Sequence, residues 1–141
     1  MKFPTTGEDL KNEILISADT PGDLRIRQLI HILPKVDPEI IIEGVIQVIE
    51  LEGRMNPFRD QETAGKILEA IKPKSKKDLK EILKRTLKHW NKSIEQFPFW
   101  FRDNYGLETV ILTFDQMEMD EIEVDKLKTM KWWLRIKAAN T

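Results

Sequence analysis

Apolar residues recur along this chain at helical spacing. The most instructive run lies at 38–52. On a helical wheel Ile40, Ile41, Ile42, Val45, Ile46, Val48, Ile49 and Leu51 cover an arc of roughly 240°, against about 100° for a helix buried on one side. Glu39, Glu43, Gln47 and Glu50 share the remaining stripe, at steps of four, four and three positions. The β-branched content favours a strand, but no strand gathers those four polar residues on one side. The pattern predicts a central helix packed on at least two sides. Gly44 falls inside the apolar arc, where it allows a close helix crossing.

Local punctuation divides the rest. Thr20-Pro21-Gly22-Asp23, Asp37-Pro38-Glu39 and Ser75-Lys76-Lys77-Asp78 read as helix starts, with a capping residue followed by Pro or an acid. Pro34, Gly53 and Pro73 read as stops. The expectation is an all-α chain of about six helices, near 8–17, 21–33, 38–52, 60–72 and 76–96, with at least one more after 106. In the run 76–96, Leu79, Ile82, Leu83, Leu87, Trp90 and Ile94 form one stripe. Lys77, Lys80, Lys84, Arg85, Lys88 and Lys92 lie opposite, which predicts an outer helix with a basic face and makes those six residues the candidate anion-binding set. Beyond Gly106, Leu107, Val110, Ile111 and Phe114 fit one helical face, and Leu127, Met130, Trp133 and Leu134 another. The composition of 110–114 and 132–137 also fits a two-stranded hairpin.

A weak repeat appears at an offset of 39 residues. Leu29, Ile32, Pro34 and Lys35 align with Leu68, Ile71, Pro73 and Lys74; Glu39, Ile40, Gly44 and Val48 align with Asp78, Leu79, Leu83 and Leu87. Each unit, about 22–52 and 60–96, is a helix, a Pro-Lys turn and a second helix. A period near 40 built of helix pairs marks solenoid architectures. In layout the chain resembles a short HEAT- or armadillo-like helical repeat protein, and the alternative is an irregular helical bundle. The resemblance implies a right-handed stack of antiparallel helix pairs with an extended surface for a partner. HEAT-like DNA glycosylases use such a surface to hold duplex DNA, so nucleic acid is a second implied partner.

Composition narrows the picture. A chain of 141 residues is one domain, 1–141, with a less regular C-terminal segment at 106–141. It has no cysteine, which excludes a disulfide framework, thiolate metal sites and a thiol nucleophile. No apolar run is long enough to span a bilayer, and the start Met1-Lys2-Phe3-Pro4 lacks a signal-peptide core. The expected compartment is cytoplasmic. The net charge is −1, but the charges are segregated. Residues 72–92 hold nine bases and two acids, 106–125 seven acids and no base, and 126–137 five bases and no acid. Either the acidic stretch pairs with a basic one inside the molecule, or a basic face is left to bind phosphates.

Catalytic patterns are missing from the sequence. His31 and His89 stand far apart with no metal-ligand spacing. There is no Gly-rich phosphate loop or nucleophile elbow, and the acids from Asp115 to Asp125 lack the glycine and alternate spacing of a calcium loop. No metal, cofactor or catalytic residue is expected. The distinctive stretch is 97–106, which holds five of the chain's eleven aromatics, with Pro98 either interrupting a helix or opening one. It reads as a plug closing the core or as a recognition patch of Phe99, Trp100, Phe101, Arg102 and Tyr105, because aromatics and Arg dominate binding hot spots. Three successive aromatics cannot all enter one core, so partial exposure is expected at Phe99 or Phe101. The adjacent Trp132 and Trp133 raise the same question. The function expected from these features is a non-enzymatic helical scaffold that binds a protein or peptide. Phosphate-backbone binding and an enzyme with an unrecognised pocket are the alternatives.

Overall fold

Capping side chains set half of the helix starts among the described residues. In the computed structural model, which describes residues 2–137, the helices are α1 (Gly7–Asp19), α2 (Leu24–Ile32), α3 (Pro38–Glu50), α4 (Pro57–Ile71), α5 (Leu79–Thr86), α6 (Gln96–Tyr105), α7 (Leu107–Met119) and α8 (Val124–Trp133), with a 3₁₀ turn at Leu33–Lys35. No strand occurs among the described residues, so the hairpin alternative for 110–114 and 132–137 is not realised. Residues 138–141, the end of the expected C-terminal segment, lie outside the described residues. Thr6, Asp37, Asn56 and Asp78 cap α1, α3, α4 and α5, each accepting a backbone N–H in the first turn. Such a cap is worth about 1 kcal/mol.

Among the described residues eight α-helices replace the six or so expected, for local reasons. Thr20 does not start α2. It ends α1, donating its hydroxyl to the Ile16 carbonyl at 2.7 Å, and Gly22 turns the chain at φ 79°. The run 76–96 is not one helix. Residues 72–78 lie outside any helix, α5 ends at Thr86, and an irregular segment leads to α6. Two side chains compete there with helical hydrogen bonding. Asn91 accepts from the Ser93 N–H at 2.8 Å. Buried Gln61 of α4 donates to the His89 carbonyl at 2.7 Å and accepts from the Asn91 N–H at 2.8 Å. Pro98 is tolerated because it sits in the first turn of α6, where its missing N–H would have no helical partner. Gly106, at φ 86°, ends α6 and starts α7 without a linker.

α3 occupies the middle, with α1, α4 and α5 against it; α4 also touches α1, α2 and α6, and α7 links α6, α5 and α8. Ile41, Ile42, Val45, Ile46, Val48 and Ile49 are buried, as the wide apolar arc requires. A Cβ placed on Gly44 would lie 2.7 Å from the Leu10 Cβ, so the glycine is what lets α1 and α3 approach this closely. All six residues of the apolar stripe in 76–96 are buried, although only three, Leu79, Ile82 and Leu83, belong to α5.

Candidate interaction site

α6 divides its aromatics between two faces. Phe97, Trp100 and Phe101 point inward and are buried, while Phe99 and Tyr105 are half-buried and Arg102 is exposed. The inward face does more than fill space. The Trp100 indole N–H donates to the Pro73 carbonyl at 2.7 Å. Asn104 both accepts from the Ser75 N–H and donates to the Ser75 carbonyl, each at 3.0 Å. The Tyr105 hydroxyl donates to the Lys77 carbonyl at 2.6 Å, and burial pushes its pKa up to about 12, so it remains a donor across the ordinary pH range. Glu39 of α3 completes this clasp, accepting from the Ser75 hydroxyl at 2.5 Å and the Lys76 N–H at 3.0 Å. A segment outside a helix has no helical ladder to satisfy its backbone groups; these side chains supply several partners for 73–77. Of the aromatic recognition set, Trp100 and Phe101 are therefore core residues and Tyr105 belongs to the clasp.

The outward face is of another kind. The Arg102 guanidinium lies over the Phe99 ring, 5.1 Å from its centroid. Trp133 of α8 meets Phe99 edge-on at 6.5 Å, and Trp132 meets Trp133 at 4.8 Å, also edge-on. Trp133 is oriented by its indole N–H, which donates to the Lys92 carbonyl at 2.7 Å. Trp132 has no such anchor among the described residues and is 68 % exposed. The result is a ladder from Arg102 through Phe99 and Trp133 to Trp132. Beside it runs a groove of about 210 Å³ lined by the end of α4 (Leu68, Glu69, Lys72) and by Glu95, Phe99, Trp100 and Arg102. The sequence marked Phe99, Arg102 and the Trp pair separately. Their joining across about thirty positions of chain depends on α6 packing against α8, which no local pattern encodes.

The basic set is divided too. Arg85 does not face solvent as a free cation. It binds Glu43 through two nitrogens at 2.9 Å each, and Glu50 at 3.0 Å through Nε and 2.5 Å through Nη2. Those hydrogen bonds to Glu43 and Glu50 hold the Arg85 pKa above its usual value. Hydrogen bonding to Arg85 in turn pulls Glu43 down to about 2. Lys77 adds to Glu43 at 3.4 Å, and Lys92 pairs with Asp125. Lys80, Lys84 and Lys88 have no carboxylate within 4 Å among the described residues; Lys84 and Lys88 are exposed and Lys80 is half-buried. The acidic stretch thus pairs with Lys92 and with Lys131, whose ammonium lies 2.6 Å from Asp115 and 3.0 Å from Glu118, rather than with the lysines of α5.

His89 contacts Glu52 at 2.7 Å, tying the irregular segment to the end of α3, and His31 is exposed on α2. No group of three or more His, Asp or Glu converges as if to hold a metal ion among the described residues, and no helix there is long and apolar enough to cross a membrane. Comparisons with protein-family models, with curated proteins and with solved structures gave no match.

Proposed function

We propose that the protein is a non-enzymatic helical interaction module that binds a protein or peptide through the ladder of Arg102, Phe99, Trp133 and Trp132 and the groove beside it. The observation that carries this reading is the exposure of Trp132 at the end of a set of ordered aromatics. A large side chain held in water loses its contact area unless something covers it. Trp and Arg at the centre of a contact give most of the binding energy, and pre-ordered rings lose little freedom when they bind. The mixed charges at the groove, Glu69, Glu95, Lys72 and Arg102, suit a polar rim around an apolar anchor. The reading keeps the stacked-helix layout, supported by the 39-residue correspondence and by α3 lying beside α4, and a cytoplasmic setting, with which the cysteine-free sequence agrees.

Panning a displayed random peptide library against the protein, with counter-selection on Trp132→Ala, tests the proposal. We expect peptides that bind the natural chain and are lost, by at least about tenfold, on the Trp132→Ala and Phe99→Ala variants, while thermal melting of the Trp132→Ala protein is unchanged. Peptides that bind all three alike would overturn the site. Steeply salt-dependent retention on duplex DNA, abolished by reversing Lys80, Lys84 and Lys88, would instead support phosphate-backbone binding.

A further inference from the structure

α7 leaves a second face uncovered, on different residues from the ladder. Its buried side is formed by Val110, Phe114 and Met117. At 100° per residue, the opposite direction falls on Leu112 and Met119. These are 71 % and 83 % exposed, among the most exposed large apolar residues described. They are seven positions apart, so they occupy the same heptad position on successive pairs of turns, about 10 Å apart along the helix. Two apolar side chains in register along one face form a seam on which another helix can pack.

The charges around the seam select what that helix can be. Residues 106–125 hold seven acids and no base. Glu108 near Leu112, Asp120 next to Met119, and Glu121 in the turn that follows are exposed and have no cation within 4 Å among the described residues. Asp115 and Glu118 pair with Lys131, and Arg135 and Lys137 line the same hollow as Asp115, so the uncompensated acids are those at the two ends of the seam. A second copy docking α7 against α7 would bring like charges together. Phosphate-bearing partners and anionic lipid surfaces are repelled by the same field. A cationic helix is attracted, because it can place aliphatic side chains on Leu112 and Met119 and its Lys or Arg on the flanking acids.

We propose that the outward face of α7, centred on Leu112 and Met119, docks a basic amphipathic helix. The proposal stands on a different face from the aromatic ladder and can fail without it. The probe is a synthetic peptide of about 21 residues with Leu at the a and d positions of each heptad and Lys at the flanking ones, added to the isotope-labelled protein. Amide chemical-shift changes are followed together with the anisotropy of a labelled peptide. We expect shifts confined to α7 and its neighbours, binding that weakens as salt rises, and no binding of the twin peptide with Glu in place of Lys. Leu112→Glu with Met119→Glu should weaken binding at least about tenfold, as loss of an anchor does. Glu108→Lys with Asp120→Lys should weaken it too and flatten its salt dependence. The substituted side chains are exposed, so the spectra of the variants also report that the fold is intact. Binding that survives loss of Leu112 and Met119, or that the Glu twin shares, overturns the proposal. Shifts that map to Trp132 and Phe99 would place the peptide on the ladder and overturn it equally.

Discussion

Gly44→Ala should destabilise the protein although it replaces glycine in the middle of a helix. Two effects of opposite sign compete. Alanine gains about 1 kcal/mol of helix propensity over glycine. Against this, its Cβ would sit 2.7 Å from the Leu10 Cβ and 2.8 Å from both Cγ and Cδ2 of the same side chain. Carbon atoms rest at about 3.5–4.0 Å, so nearly 1 Å must be recovered. Cβ moves only with its backbone, so α1 itself would have to back away from α3, along the most extensive helix–helix contact among the described residues. Overpacking of this kind costs about 1–3 kcal/mol, and the buried Leu10 and Ile14 would lose contact as α1 moved. The net expectation is a loss of up to about 2 kcal/mol. Gly65→Ala in α4 supplies the comparison. There the new Cβ would meet the Gln96 Oε1 at 2.9 Å, the tip of a half-buried side chain that can swing aside. The propensity gain then survives, and Gly65→Ala should be neutral or stabilising by up to about 1 kcal/mol. Urea unfolding followed by tryptophan fluorescence separates the two if the m-value is unchanged. Gly44→Ala at least as stable as Gly65→Ala would refute the close-crossing argument.

Helix content was readable from the sequence because it is written in local signals. Asp37-Pro38 and the wide apolar arc placed α3 almost to the residue, and the buried stripe from Leu79 to Ile94 was identified in full. The boundaries failed where side chains reach across the chain. Nothing near His89 announces that Gln61, from another helix, will take over the hydrogen bonds of that turn. Thr20-Pro21 looks like a helix start by residue type, and the same threonine closes the helix before it. Asn56-Pro57 does carry the cap-then-Pro pattern and begins α4; that signal was present and sequence reading placed the start three positions late.

The site was legible as parts and illegible as a unit. Composition marked the aromatic segment and the lysines. Which aromatic faces inward depends on α6 being helical from Gln96 onward: with about 100° between successive side chains, Trp100 and Phe101 turn to the core and Phe99 turns to α8. Net charge by segment likewise located the acidic and basic runs but not their pairing. Arg85 looked like one more cation of the basic face, until α3 brought Glu43 and Glu50 under it.

Two further predictions test the clasp and the charge network. Trp100→Phe keeps an aromatic ring but removes the donor to the buried Pro73 carbonyl. An unsatisfied buried acceptor costs about 1–3 kcal/mol, so urea unfolding should show a loss of that size, with faster hydrogen exchange at the Ser75 amide. A change within about 0.5 kcal/mol, typical of surface substitutions, would show that the 73–77 segment does not depend on Trp100. Glu43 gives a pH prediction whose sign follows from its pKa. Hydrogen bonds from Arg85 hold it at about 2 in the folded protein, against an ordinary value of 4.5. A carboxylate depressed by folding contributes stability that is complete above its unfolded value and is lost as pH falls towards its folded one. Stability should therefore decline from about pH 5 towards about pH 2, and Glu43→Gln, which has no such proton to take up, should lower stability at neutral pH and flatten that decline. Gln47, Lys77 and Glu50 face the same network, so part of the acid sensitivity will remain in the variant. An acid limb as steep in Glu43→Gln as in the natural chain would mean that the Arg85 contact does not lower the Glu43 pKa on folding, and that Arg85 is as available to an external anion as its neighbours Lys84 and Lys88.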